Sequence, residues 1–219
     1  MGNKDKLGIP GFVTISRQAG AGGITVGEKL AVHLNEALPG PCPWTVFDKN
    51  LVEEIVQENN LSEKAKPYLN EETVSLGESA VDVLINLRSV QSTLVEKTNQ
   101  TLLHLARTGR VILVGRGASS VTKLIEGGTH IRLVGSPKNR KKHLQEYFNL
   151  TAKEAKDFME KEDGGRARYL KKYFEQDIDD PLQYDLIINT DNVSYDDAAM
   201  IIKDMVIRKV KSGKLIAAV

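Results

Sequence analysis

Three glycines within four residues mark a tight turn near the start of the chain. The turn consists of Gly20, Ala21, Gly22, Gly23, Ile24 and Thr25. The apolar residues 12–15 before it are typical of a buried strand, and the apolar spacing over residues 26–38 is typical of a helix. Because glycine permits sharp backbone turns, successive N–H groups and the helix N-terminus can converge on one anion. The pattern predicts a phosphate-binding cradle, and a plain tight turn is the alternative.

Two nearby side chains extend this interpretation. The pattern is similar to the P-loop, which is Gly, four residues, Gly, Lys and Ser or Thr, except that Gly23 stands in place of the lysine. Arg17 is the nearest cation in sequence, so it is predicted to supply the missing positive charge. The alternative for Arg17 is a structural salt bridge that fixes the loop. Thr25 is placed to offer its hydroxyl to Mg²⁺.

The elements that position these residues alternate between strands and helices. Strand-like runs occupy residues 12–15, 44–47, 111–114, 130–134 and 186–188, with helical patterns between most of them. This alternation predicts an α/β fold with a parallel five-stranded sheet and helices on both faces. Ligands of such sheets bind beyond the carboxyl ends of the strands, so chemistry is expected at the residues that follow each strand. These residues are Arg17, Asp48, Arg116, Ser136 and Asn189.

Two long segments interrupt the alternation and divide the single predicted domain. Residues 49–109 have helical composition and are too long for an ordinary crossover, which predicts a helical insert. Residues 137–180 carry many lysines and arginines and predict a mobile lid that meets a polyphosphate, with a solvated helix face as the alternative for the lysines. The core then comprises residues 12–48, 110–136 and 181–212, with a final helix over about 195–211.

Local signals predict where the lid helices begin and end. Pro137 after Ser136 suits the first turn of a helix, and Thr151 with Glu154 forms a capping box at the start of a second one. The pair Gly164 and Gly165 is predicted to break that second helix.

The bulk composition limits the classes of function. The chain has 219 residues, one cysteine, 30 basic and 29 acidic residues. A single cysteine excludes an internal disulfide framework, and the absence of an apolar run of about 20 residues speaks against a membrane partner. The near-zero charge speaks against binding polymeric nucleic acid. The cytoplasm is the expected location, and the oligomeric state is not predicted.

Several short blocks, taken in order, resemble the cytidylate kinase-like family of the P-loop superfamily. They are residues 14–18 with the glycines after them, Leu30 and Ala31, residues 47–49, 114–117 and 133–137, Arg140, Asp163, Arg166 and Tyr169, and residues 184–190. The sequence departs from authentic cytidylate kinases at Gly23 for a lysine, Gly117 for an aspartate and Met159 for a lid arginine. The first two replacements are common in the cytidylate kinase-like branch.

The resemblance implies a P-loop NTPase-type three-layer fold with an acceptor-binding insert and a lid. It implies transfer of the γ-phosphoryl of ATP, with Mg²⁺, to a nucleoside monophosphate, CMP or dCMP by family default, or to a similar small phosphorylated acceptor. Arg116 would bind the acceptor phosphate, and Arg140 and Arg166 would close on the transferring group. Asp163 would orient one of these arginines or the acceptor.

Asp48 is the predicted carboxylate of the site. Placed after the second strand, it would orient or deprotonate the acceptor or hold Mg²⁺ through water, as the corresponding aspartate does in the related dephospho-coenzyme A and shikimate kinases. The alternative is an N-cap for the next helix. The residues 189–192 after the last strand occupy the place where relatives form part of the adenine edge, although turn propensity also explains Asp191 and Asn192.

A second function class stays open beside the kinase. Without the loop lysine, and without a clear acid after Val114, the chain could be a nucleotide-binding regulatory module with weak or no catalysis. The basic lid and Asp48 favour the kinase, because a sensor needs neither acceptor alignment nor a cover that excludes water.

Overall fold

The computed structural model describes residues 11–48 and 95–211. The strands are β1 (Phe12–Arg17), β2 (Thr45–Phe47), β3 (Val111–Val114), β4 (Gly128–Val134) and β5 (Leu186–Asn189). The helices are α1 (Gly23–Ala37), α2 (95–108), α3 (Ala118–Val121), α4 (Pro137–Phe148), α5 (Ala152–Phe174) and α6 (Tyr195–Lys211), with a 3₁₀ turn at Pro181–Gln183. The predicted strands and the final helix are therefore present, with shifts of at most two residues at their ends.

The strands form one parallel five-stranded sheet, as the sequence predicts, and their order in it is β2-β3-β1-β4-β5. The central strand β1 pairs Ile15 with Val114 on one side and with Ile131 on the other. Its alternating side chains serve both faces of the sheet, which explains why its apolar run is continuous. Val13 and Ile15 pack in one core with α1 and α6, while Phe12 packs in the other with α2.

The lid segment consists of α4 and α5, which pack against each other. Ser136 caps α4 with Pro137 in its first turn, and Thr151 and Glu154 form the capping box of α5, as predicted. An apolar cluster between the two helices includes Leu144, Ala155 and Met159. Ala19 belongs to the same cluster, so the lid helices are packed against the loop that follows β1.

The prediction that Gly164 and Gly165 end the second helix is wrong. Helix α5 runs through both glycines for 23 residues. Each glycine inside a helix costs only about 1 kcal/mol relative to alanine. Arg166 forms ion pairs with Glu162 and Asp163 across this turn, and pairs at these spacings each stabilise a helix by a few tenths of a kcal/mol.

Most of the predicted insert, residues 49–109, lies outside the described residues, apart from α2. In the described ranges, no helix has the length and apolar character needed to cross a bilayer.

Candidate active site

The phosphate cradle lies between the end of β1 and the first turn of α1. Gly20 and Gly22 both adopt φ 79°, a left-handed conformation that favours glycine. The first helical bond runs from the Val26 N–H to the Gly22 carbonyl. Within the described ranges, the N–H groups of Gly23, Ile24 and Thr25 meet no protein acceptor. Three N–H donors at a helix N-terminus are an arrangement able to bind an anion, and the phosphate-binding role of this loop stays a prediction.

A cavity of about 350 Å³, here called the cradle cavity, opens over these donors. Five of the six predicted loop residues line it: Gly20, Gly22, Gly23, Ile24 and Thr25. Ala21 does not, because it is fully buried and its N–H donates to the Gln18 carbonyl at 3.1 Å. Side chains at Gly20 and Gly22 would collide with the Arg140 backbone and the Tyr195 ring, so both positions require glycine for space as well as for φ.

Arg17 occupies the space beside Gly23. A Cβ at Gly23 would lie 2.8 Å from the Arg17 Cγ, and a Cβ at Gly115 would collide with the Arg17 guanidinium. The absence of a lysine at position 23 and the presence of Arg17 are therefore related, because the aliphatic part of Arg17 occupies space that a side chain at position 23 would need. Among the residues with described coordinates, Arg17 forms no ion pair, so the alternative of a salt bridge that fixes the loop has no support there.

The charge of Arg17 lies in a crowded cationic environment. The pKa of Arg17 is lowered to about 10, first by burial and then by the positive charges of Arg166 and Arg116, while Glu162 and Asp48 oppose the shift. At neutral pH the guanidinium stays protonated. A cation held in this way is only partly compensated by its carboxylate neighbours, which favours the approach of an anion.

Arg116 lies on the other side of Arg17, in a turn of unusual conformation. Gly115, Arg116 and Gly117 have φ values of 88°, 53° and 65°, so a non-glycine residue is held in the left-handed region between two glycines. Burial lowers the pKa of Arg116, and Tyr169 and Glu162 oppose that shift. A cavity of about 90 Å³, here called the Arg116 cavity, lies against this turn.

Three residues line both cavities: Arg17, Glu162 and Arg166. The cradle cavity and the Arg116 cavity therefore meet at two guanidinium groups and one carboxylate. Arg166 donates to Glu162 at 2.9 Å and to Asp163 at 3.0 Å, which fixes its side chain at this junction. Asp48 lines the cradle cavity, as expected for the residue after β2.

Asp163 connects the lid helix α5 to the cradle loop. One of its carboxylate oxygens accepts from the Ala19 N–H at 2.7 Å and from Arg166, and the other accepts from Arg140 at 2.6 Å. Arg140 is buried and also donates to the Ala19 carbonyl at 3.2 Å. Neither Asp163 nor Arg140 lines the two cavities, in contrast to the predicted contacts with acceptor and phosphoryl group. Of the predicted roles, the one that this geometry supports for Asp163 is orienting the arginines.

The polar residues after β5 form hydrogen bonds with β4 and the loop that follows it. Asp191 accepts from the Ser136 N–H at 3.0 Å, and hydrogen bonds from the Ser136 side chain and backbone lower the pKa of Asp191. Thr190 donates to the Val134 carbonyl. These polar groups connect β5 to β4, which is a structural role.

At Gly117, a Cβ would lie 3.0 Å from the Phe174 ring and 3.2 Å from the Tyr169 ring, so aromatic side chains fill the space that an aspartate would need.

Glu162 and the aromatic wall of the cradle cavity were not predicted from the sequence. Glu162 stands four residues before Arg166, a helical spacing that favours an ion pair and could have identified it. The wall includes His143, Tyr147, Phe148 and Phe158 from α4 and α5. The sequence did not indicate that these rings line a cavity, because their spacing is that of ordinary helix packing.

The donor set of the cradle cavity suits Mg²⁺. The Thr25 hydroxyl and the Asp48 carboxylate offer hard oxygen ligands in the same cavity as the cradle N–H groups. Over the described ranges no cluster of three or more metal-binding side chains occurs.

The sheet order and the cradle after β1 define the class of the protein as an α/β fold of the P-loop NTPase type. The chain belongs to the cytidylate kinase-like family, whose family model matches residues 12–192. No curated protein matches the sequence significantly.

Solved structures share the fold at low sequence identity. An uncharacterized protein from Eubacterium ventriosum is 19% identical, with a TM-score of 0.63 over 93% of this chain and 99% of that one. The APS kinase of Mycobacterium tuberculosis in complex with AMPPNP and APS is 12% identical, with a TM-score of 0.52 over 92% and 99% of the two chains. Shikimate kinase from Bacteroides thetaiotaomicron is 14% identical, with a TM-score of 0.50 over 90% and 98%. Family and fold together support a P-loop phosphotransferase of the small-molecule kinase type.

Proposed function

We propose that the protein transfers the γ-phosphoryl group of ATP to a nucleoside monophosphate, CMP or dCMP by family default, or to a similar small phosphorylated acceptor. The observation that carries the proposal is the junction of the two cavities at Arg17 and Arg166, with Arg116 lining the second cavity. Phosphoryl transfer needs positioning and positive charge around the moving group and little covalent chemistry from the protein. Three guanidinium groups between a phosphate cradle and a second anion site supply both.

The cradle binds the donor. The N–H groups of Gly23, Ile24 and Thr25 hold the β-phosphate, and the Arg17 guanidinium, which lies over Gly115, contacts the γ-phosphate in place of the loop lysine. Mg²⁺, held by Thr25 and through water by Asp48, supplies charge neutralisation of the donor phosphates when bound.

The Arg116 cavity binds the acceptor. Arg116 makes bidentate contact with the acceptor's phosphate, for which its planar fork is suited. Asp48 orients the attacking oxygen, and takes its proton if the acceptor presents a hydroxyl. In the transfer, a bond forms between that oxygen and the γ-phosphorus, and the bond from the γ-phosphorus to the β–γ bridging oxygen breaks. The electron pair of the broken bond stays on the ADP product.

Arg166 stabilises the charge that spreads over the transferring group, because it lines both cavities. Glu162 and Asp163 hold it in place through two charge-assisted hydrogen bonds. Arg140 acts as a positioning residue in the described conformation, since it fixes the Ala19 carbonyl and the Asp163 carboxylate. A direct contact of Arg140 with the phosphoryl group would require a different lid position.

A nucleotide-binding regulatory module is the second candidate. The observation that favours it is Gly117, where two aromatic rings fill the space of the aspartate found in authentic cytidylate kinases. A module of this kind binds ATP and transfers nothing.

Release of ADP separates the two candidates. The full chain is incubated with ATP, Mg²⁺ and each nucleoside monophosphate, and ADP is measured by a coupled assay, with thermal unfolding as a parallel record of binding. The kinase proposal expects acceptor-dependent ADP with at least one monophosphate. Stabilisation by ATP without ADP from any acceptor would favour the regulatory module.

A further inference from the structure

Five aromatic side chains form a continuous row that starts at the cradle. The row consists of Tyr195, His143, Tyr147, Phe148 and Phe158, with neighbouring ring centroids 5.1, 5.9, 4.8 and 5.6 Å apart. Its first member, Tyr195, packs against Gly22 and lies 3.5 Å from the Gly20 carbonyl through its hydroxyl. The other four rings line the cradle cavity. The row therefore leads from the phosphate-binding N–H groups along one wall of that cavity.

Two rings of this row are exposed in a way that packing alone does not explain. Tyr147 and Phe148 keep 54% and 51% of their surface accessible. They lie at the end of α4, where Leu144 is buried and fixes the helix against the loop. Aromatic rings presented to a cavity from a fixed helix are a common element of small-molecule sites.

We propose that this aromatic row is the binding site for the nucleobase of the donor. The base stacks on Tyr147 and Phe148 while the donor phosphates bind the cradle. The inference rests on the proposed function, since it assumes that the cradle binds a nucleoside triphosphate. It differs from the sequence-based expectation that residues 189–192 form the adenine edge, because Thr190 and Asp191 are hydrogen-bonded to the backbone of Val134 and of Ser136.

A nucleobase is the occupant that the surroundings favour. The aromatic wall and the N–H donors line the same cavity, so one ligand must offer an anionic end and a flat apolar end. A nucleoside triphosphate has an anionic end and a planar aromatic end. Inorganic polyphosphates and lipids both lack a planar aromatic group. Stacking on aromatic side chains also tolerates any base, which suits a wall with few polar groups.

Calorimetric titration of the full chain tests the proposal with two probes, ATP and inorganic tripolyphosphate, each with Mg²⁺. The test variant combines Tyr147→Ala with Phe148→Ala, and Leu124→Ala, which is 95% exposed, serves as the control. Loss of base stacking weakens binding about 5- to 140-fold per base. The wild-type chain is expected to bind ATP at least 5-fold more tightly than tripolyphosphate.

In the double variant, ATP is expected to fall to the affinity of tripolyphosphate, whose own affinity stays within about twofold of the wild type. Tyr147→Phe, which keeps the ring and removes the hydroxyl, is expected to retain the preference for ATP. Equal binding of the two probes by the wild type, or an unchanged preference for ATP in the double variant, would overturn the proposed nucleobase site. Neither result would contradict phosphate binding at the cradle. Failure of both probes to bind would overturn the proposed function together with the nucleobase site.

Discussion

Because Arg17 and Gly23 are in steric contact, the positive charge of Arg17 can be moved to position 23 by two substitutions, and the effect on activity can be predicted. Arg17→Ala removes the cation over the cradle, and Gly23→Lys introduces the usual P-loop lysine. A Cβ at Gly23 lies 2.8 Å from the Arg17 Cγ and 3.1 Å from its Cδ, which is closer than van der Waals contact. A lysine at position 23 therefore displaces the arginine unless Arg17 is shortened first.

The magnitudes follow from the charge that each variant leaves over the γ-phosphate. Arg17→Ala is expected to lower kcat by about 1,000-fold, or ~4 kcal/mol of transition-state stabilisation, the lower range for loss of a catalytic arginine. Gly23→Lys alone is expected to lose activity through the collision. In the double variant the lysine has room, and activity is expected to exceed that of Arg17→Ala by at least about 10-fold, or ~1.4 kcal/mol.

Steady-state kinetics of ADP release on the four chains form a double-mutant cycle, with thermal unfolding as the control for folding. A positive coupling between the two positions supports the idea that Arg17 takes the role of the lysine. If the double variant is folded and no more active than Arg17→Ala, or if Arg17→Ala keeps nearly normal rates, Arg17 does not serve as the substitute.

Three other predictions test the remaining parts of the site. Arg116→Ala and Asp48→Asn are each expected to lower kcat/KM by about 100-fold or more, because each removes a positioning contact, while the chain still unfolds cooperatively; near-normal turnover would contradict the assignment. Arg17→Met is expected to raise the unfolding midpoint of the ligand-free chain by roughly 2–4 °C, since about 1 kcal/mol of cost from a desolvated cation disappears; a lower midpoint in a thermal melt would refute this. Asp163→Asn is expected to cost about 1–3 kcal/mol in urea unfolding because it removes one acceptor oxygen and the negative charge that pairs with Arg140 and Arg166, whereas the exposed control Glu160→Gln stays within about 0.5 kcal/mol.

The fold was largely predictable because local signals agree with the final structure. Apolar strand runs, the capping box at Thr151 and the proline of Pro137 each act over a few residues, and the parallel pairing follows from the alternation of strands and helices. The glycine pair in α5 shows the limit of such signals. Its local cost is about 1 kcal/mol per residue, which is too little to end a 23-residue helix whose apolar side packs against α4 and the loop after β1.

The site was predictable in its backbone and less so in its side chains. Glycine spacing located the cradle, and position after a strand located Arg17, Asp48 and Arg116 at its rim. The contacts of Arg140 and Asp163 depend on how the lid helices dock onto the loop, across 121 and 144 residues of sequence, and no local pattern carries that information.

The carboxylate of Asp163 gives the lid and the loop a shared support. Because the Ala19 N–H is bonded to an oxygen carried by α5, an outward swing of that helix would strip the amide of its acceptor and release the Arg140 clamp at the same moment. Under the proposed function, lid opening would therefore also disturb the loop that binds the donor phosphates. The movement that admits ATP would then weaken the binding of ADP as well.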